Sequence, residues 1–167
     1  MQKRAYDKSL VLHAADASAA YPMGVWHYLQ GSYREAADSF AKVLPCADEM
    51  RIAVLYWNAI CCMRGNLTDH LLAGYRDDMK VGGHSAYQSA VAVFLGKTDA
   101  DEAIHRAEHG QSDLNAVVSL YGIAVYLAHC GKTESAHAVM QSLLRRESVW
   151  PCISYLAAWN DLKTDAV

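Results

Sequence analysis

The sequence predicts an all-α fold for the chain. Apolar residues recur at spacings of three and four, as at Leu120, Ile123, Ala124 and Leu127, which places them on one face of a helix. Residue types with high helix propensity are frequent, and the chain has only three prolines. No run of alternating β-branched residues lies between hairpin turns, so no segment is predicted to be a strand.

The length and charge narrow the class of protein. The 167 residues suit a single domain that spans residues 1–167. A net charge of −3 argues against a nucleic-acid partner, since proteins that bind nucleic acid usually carry an excess of basic residues.

The longest apolar stretches, 85–95 and 114–130, fall short of the roughly 20 residues that a membrane span needs. Charged residues interrupt any signal-peptide core near the start, so we expect a cytoplasmic protein.

The five cysteines predict no disulfide framework. They are Cys46, Cys61, Cys62, Cys130 and Cys152. An odd number, without a C-x-x-C string or an export signal, indicates reduced thiols that pack as small apolar residues. We expect no cofactor.

Four glycines divide the chain into similar segments. Gly31, Gly65, Gly96 and Gly131 are 34, 31 and 35 residues apart. Each follows an apolar helical stretch and precedes another, a place where glycine ends a helix in the left-handed conformation. A period near 34 residues, made of two helices and a tight turn, is typical of helical-repeat proteins.

The helices follow from these turns and from the prolines. A leading helix is expected at about 4–20, and Pro22 suits the first turn of the next one. The predicted pairs are 22–30 with 33–44, 49–64 with 67–80, 84–95 with 99–109, and 114–130 with 133–146. After Pro151, a capping helix at about 150–162 is expected to cover the last pair with Ile153, Leu156, Ala157 and Trp159, and to turn Asn160, Asp161 and Lys163 to water.

The segment 17–50 resembles the tetratricopeptide repeat family. The match consists of Gly24, Gln30-Gly31-Ser32-Tyr33, Glu35-Ala36, Phe40 and Val43-Leu44. Residues 117–150 match nearly as well, whereas 51–81 and 82–116 depart in their second halves. The resemblance implies a right-handed solenoid of about four helical hairpins, with leading and capping helices.

In that family the first helix of each hairpin lines a concave groove. Transferring this geometry gives an apolar set without Lys or Arg: Tyr21, Val25, Tyr28, Leu55, Ala59, Phe94, Tyr121, Val125 and His129. Because the set contains no Lys or Arg, we do not expect it to bind the acidic terminus of a partner peptide. Such a surface needs a cover, which is either a partner's extended segment or amphipathic helix, the chain's own terminal helix, or a second copy in a homodimer.

These expectations favour a non-enzymatic interaction module or scaffold that binds another protein. A chaperone for an export or assembly substrate is a related alternative. A metal-dependent hydrolase is the alternative from another class, because His105, Glu108 and His109 match the H-x-x-E-H string of inverted zinc peptidases. The later glutamates, Glu134 and Glu147, offer no convincing third ligand, so we expect no metal site there.

Overall fold

The computed structural model describes residues 17–164, which form eight α-helices and contain no strand. The helices are α1 Ala17–Leu29, α2 Tyr33–Ala41, α3 Asp48–Gly65, α4 Ser85–Phe94, α5 Ala100–Glu108, α6 Asp113–His129, α7 Thr133–Leu144 and α8 Ile153–Lys163. The all-α prediction is confirmed for this part of the chain, and none of these helices is long and apolar enough to cross a membrane. Most of the predicted leading helix lies outside the described residues.

Three of the four predicted glycine turns are confirmed. Gly31, Gly96 and Gly131 have φ values of 77°, 67° and 79°, in the left-handed region that favours glycine. At the remaining turn the prediction is wrong by one residue, because Gly65 is still helical and Asn66 takes the left-handed conformation with φ 50°. Asparagine tolerates this conformation better than most residues.

The predicted helix at 67–80 is wrong. Residues 66–84 form a loop whose regular structure is two short 3-10 turns, Leu72–Gly74 and Gly82–His84. The Asp69 carboxylate accepts hydrogen bonds from the backbone N–H groups of Leu71 and Leu72, at 2.8 and 3.0 Å. Such local side-chain bonds compete with helix formation.

The end of this loop is tied to the start of α3. The Asp48 carboxylate accepts a hydrogen bond from the Lys80 N–H at 3.0 Å and contacts Arg76 at 3.2 Å. The Lys80 bond and the Arg76 charge lower the pKa of Asp48. Met79 and Val81 are buried beside this anchor, so the loop covers part of the core that a second helix would otherwise cover.

The core is built around α3 and α6. Residues 52–62 of α3 and 116–125 of α6 are buried without interruption, so neither helix has a solvent face in these stretches. The Tyr56 hydroxyl on α3 donates to the Val118 carbonyl on α6 at 2.8 Å. A helix that is apolar on all sides belongs in the interior, which explains the near-continuous apolar sequence of both segments.

Contacts also join segments that are far apart in the chain. The Tyr28 hydroxyl on α1 lies 2.5 Å from the Tyr121 hydroxyl on α6. These residues belong to the first and last predicted repeats. In an open solenoid each repeat contacts only its neighbours. The helices of the described region therefore pack around α3 and α6, and the first and last predicted segments are in contact.

We expect Gly122→Ala to lower the free energy of unfolding by about 2 kcal/mol. A Cβ at this position would lie 2.4 Å from Cε2 of Tyr56, a fully buried ring that has no room to move. Urea denaturation measures the change. Gly74→Ala is the control, because nothing lies within 4 Å of its added Cβ. Equal effects of the two substitutions would contradict the close approach of α3 and α6.

Candidate functional site

The predicted groove residues lie mostly inside the bundle. Six are buried: Val25, Tyr28, Leu55, Ala59, Tyr121 and Val125. Tyr21 and Phe94 are half-buried, and His129 is exposed at the end of α6. The six buried residues do not line an open groove in this structure, because other helices enclose them. Apolar residues at helical spacing form the core of helical bundles, and these six side chains do so here.

Aromatic rings connect four of the helices at the centre of the bundle. Trp57 on α3 lies 5.3 Å from Tyr28 and 6.5 Å from Tyr121, measured between ring centroids. It also stacks on Phe40 of α2 at 6.1 Å. Aromatic pairs at such separations contribute beyond the area they bury. Trp57 is therefore the residue that joins α1, α2, α3 and α6.

A buried polar cluster lies beside these rings, where four helices meet. Its members are Tyr28 on α1, Arg64 on α3, Tyr121 on α6 and Asp161 on α8, and we call them the Tyr–Arg–Asp cluster. The Tyr121 hydroxyl donates to Oδ2 of Asp161 at 2.9 Å, and Nη2 of Arg64 donates to the same oxygen. Because Tyr121 gives its proton to Asp161, Tyr28 donates to the Tyr121 oxygen.

Burial shapes the electrostatics of this cluster. The Arg64 and Asp161 side chains are 10% and 9% exposed. Burial raises the pKa of the Asp161 carboxyl, while Arg64 and the hydrogen bond from Tyr121 act in the opposite direction. Burial also raises the pKa of Tyr28 and Tyr121, so both phenols remain protonated donors at neutral pH. The carboxylate is thus held by a cation and a neutral donor in a largely dry site.

A small cavity gives access to the cluster from one side. It has a volume of about 190 Å³ and lies between the end of α1 and helix α8. Its walls include Tyr28, Tyr33, Ala157 and Asp161. The Tyr33 hydroxyl also lies 3.4 Å from Nη1 of Arg64.

Helix α8 turns a different face to the core than the sequence predicts. Its buried residues are Ser154, Ala157, Ala158 and Asp161, all short side chains. Trp159, expected to cover the last helix pair, is 51% exposed, and Lys163 lies over its ring at 4.9 Å. Asp161, expected to face water, is buried. The small residues face inward because the helix lies close against its neighbours, and the larger ring is left outside.

The His105–His109 pair does not build a hydrolase site. The two rings stack at 4.1 Å, and Nδ1 of His109 contacts the His105 carbonyl oxygen at 2.8 Å. The Glu108 carboxylate accepts a hydrogen bond from Ser142 at 2.6 Å, so it is not oriented toward these histidines as a catalytic base. Within residues 17–164, no group of three or more His, Cys, Asp or Glu side chains could hold a metal ion.

A second polar cavity, of about 420 Å³, lies between α2 and the start of the 66–84 loop. At its base Asn58 is buried and donates to Oδ1 of Asp69 at 3.0 Å. Cys62 also lines it, and burial raises the pKa of this thiol to about 11. A thiol with a raised pKa is a poor nucleophile, so the cavity has no activated cysteine.

We expect the five thiols to react with a disulfide reagent in a defined order. All five are free; Cys130 is exposed, Cys46 and Cys152 are half-buried, and Cys61 and Cys62 are buried. Cys130 should react first, Cys62, which borders the cavity beside α2, much later, and Cys61 only after unfolding. Mass spectrometry of the labelled protein measures the order, with Cys130→Ser as the control. Rapid labelling of Cys61 in the folded protein would contradict the packing of α3.

Comparison of the chain with protein-family models, curated proteins and solved structures finds no match. The Tyr–Arg–Asp cluster holds one carboxylate of one helix, and its two tyrosines have raised pKa values. This arrangement suits recognition of an acidic group better than proton transfer or nucleophilic attack at neutral pH.

Sequence reasoning missed Arg64, Asp161 and Asn58 as members of polar sites. Arg64 was outside the projected groove, and Asp161 was assigned to the surface. Arg64 and Asp161 are 97 positions apart, and no periodicity links them. A sequence signal did exist on α8, where Ser154, Ala157, Ala158 and Asp161 share one helical face at spacings of three and four. A helix face of small residues is typical of close packing against a neighbouring helix, and this interpretation predicts that Asp161 is buried.

Proposed function

We propose that this chain is a non-enzymatic protein-binding module that takes an amphipathic helix of a partner protein. The observation that carries the proposal is the seating of α8. One surface, made by α6 and α7 with the ends of α1 and α3 beside them, already accepts a helix and binds its acidic side chain. Helix-in-groove binding uses the same elements, namely a shaped apolar surface and a few polar anchors.

The scaffold we propose is an array of tetratricopeptide-like helical hairpins closed on itself. Two features support it. A Cβ at Gly24 would lie 2.8 Å from the Phe40 ring, which is the close approach expected of the small residue and the aromatic in such a hairpin. The pairs α1–α2, α4–α5 and α6–α7 each have a short connection. The 66–84 loop in the second unit and the contact of Tyr28 with Tyr121 are departures from a regular array.

Of the three covers considered for the apolar groove residues, the chain's own terminal helix has the most support. Among the described residues, helix α8 covers one side of the cluster, and the predicted groove residues Tyr28 and Tyr121 lie beneath it or beside it. A chaperone that shields an assembly or export substrate would use the same surface. The metal-hydrolase alternative has no support beyond the two exposed histidines, and it requires stoichiometric zinc in the dialysed protein.

Affinity capture followed by light scattering tests the proposal. The tagged full chain is mixed with lysate of the cells that express it, and a captured protein is then purified and recombined with the chain. We expect a complex of fixed stoichiometry in which the partner contributes a helix. A second bait, Ala158→Leu, has an enlarged residue on the buried face of α8 and should capture the same partner more strongly. A chain that is a stable homodimer and forms no complex would contradict the proposal.

A further inference from the structure

We propose that Arg64 and Tyr121 form a receptor for a helix-borne carboxylate, which Asp161 of α8 occupies in the free protein. A partner helix that carries an acidic residue at the matching position displaces α8 and binds there. The inference rests on the proposed function, and it names the feature that the partner must have. It also assigns α8 a role as an internal competitor.

The receptor has the features of a specific anion site. Arg64 and Tyr121 converge on one oxygen of the carboxylate from two different helices. Tyr28 donates to the Tyr121 oxygen, which fixes the direction of the Tyr121 proton. Hydrogen bonds to ionised groups are roughly twice as strong as neutral ones. Because these donors come from α1, α3 and α6, they stay in place when α8 leaves.

The buried face of α8 defines the helix that fits. Ser154, Ala157, Ala158 and Asp161 occupy positions i, i+3, i+4 and i+7, and all four are buried. Short side chains at the first three positions let the helix axis come close enough for the short aspartate to reach Arg64. The matching partner is therefore an amphipathic helix with small residues at these three positions and an aspartate one turn after the alanine pair.

Some properties of α8 favour its displacement. The residues that it buries fully are small, and its larger apolar side chains, Ile153, Tyr155 and Leu162, are only partly buried against the core. A buried ion pair adds little net stability, because both charges must be desolvated. Its largest ring, Trp159, is outside. The connection 145–152 leads into α8 without a regular α-helix, and terminal segments of a fold often open at lower free energy than its core.

Peptide binding tests the inference directly. The probe is a fluorescent peptide of residues 150–164 with Cys152→Ser, titrated into the full chain. We expect it to bind the Asp161→Asn chain at least tenfold more tightly than the wild type, because the tethered α8 competes at a high effective concentration in the wild type. The Ala158→Leu chain is a second receptor, in which the larger buried side chain weakens the packing of α8. It replaces the Asp161→Asn chain if that substitution destabilises the fold.

A composition-matched peptide is the decisive control. It carries Asn160→Asp together with Asp161→Asn, which moves the carboxylate one position around the helix and keeps the net charge. Binding at least tenfold weaker than that of the first peptide supports the carboxylate receptor. Equal binding of the two peptides overturns it and leaves helix binding itself intact.

Two other outcomes also overturn the inference. If neither peptide binds either weakened chain, α8 is a fixed part of the fold, while partner capture still decides whether the protein binds other proteins. If light scattering shows that the wild-type chain forms dimers, and these dissociate when the peptide is added, the occupant is the α8 of a second copy and not a partner's helix.

Discussion

Replacing Trp57 with alanine is expected to lower the free energy of unfolding by about 4 kcal/mol. The ring is buried and contacts Tyr28, Phe40 and Tyr121, so its loss leaves a cavity where α1, α2, α3 and α6 meet. The surrounding rings come from different helices and cannot all move inward. Urea or guanidinium denaturation, followed by circular dichroism, measures the change.

Trp159→Ala is the matched control for this prediction. The same side chain is removed from the outer face of α8, where it is 51% exposed and contacts Lys163, and the expected loss is only about 1 kcal/mol. Similar losses at the two positions would mean that the closed bundle around Trp57 is incorrect.

Asp161→Ala is expected to cost about 3 kcal/mol, the second largest effect. The substitution removes the carboxylate that Arg64 and Tyr121 bind, at a place where both side chains are largely buried. Asp161→Asn should cost less, because the amide oxygen still accepts a hydrogen bond. Denaturation of both variants gives the values.

Asn160→Ala provides the comparison on the same helix. Asn160 is exposed beside Asp161, so we expect its replacement to change stability by less than about 0.5 kcal/mol. If Asp161→Ala is no more destabilising than Asn160→Ala, the Tyr–Arg–Asp cluster does not hold α8.

Local signals predicted much of the fold. The positive φ of Gly31, Gly96 and Gly131 follows from the need to end a helix within one residue, a requirement that glycine meets at low cost. Helices on either side of these turns appear near their predicted positions, since three-residue and four-residue apolar spacing is a property of each segment alone. The loop at 66–84 was missed because its structure depends on the Asp69 turn and on the anchor at Asp48.

The placement of the site was not predictable from the same signals. Periodicity identifies an apolar face, but it does not tell whether that face meets solvent, another helix of the chain or a partner. For α3 and α6 the informative observation was the lack of any polar face over residues 52–62 and 116–125, which is typical of helices buried on all sides. The Arg64–Asp161 pair depends on the closure of the bundle, which joins residues from α3 and α8.

Native-state hydrogen exchange of the full chain tests the central claim, that α8 is a separable helix seated on a preformed receptor. We predict that the amides of residues 153–163 exchange through an opening that costs less free energy than the opening of α3 and α6. Asp161→Asn should lower the cost for α8 further than it lowers the cost for the core helices. Exchange of α8 at the same free energy as α3 and α6, in both proteins, would contradict the account.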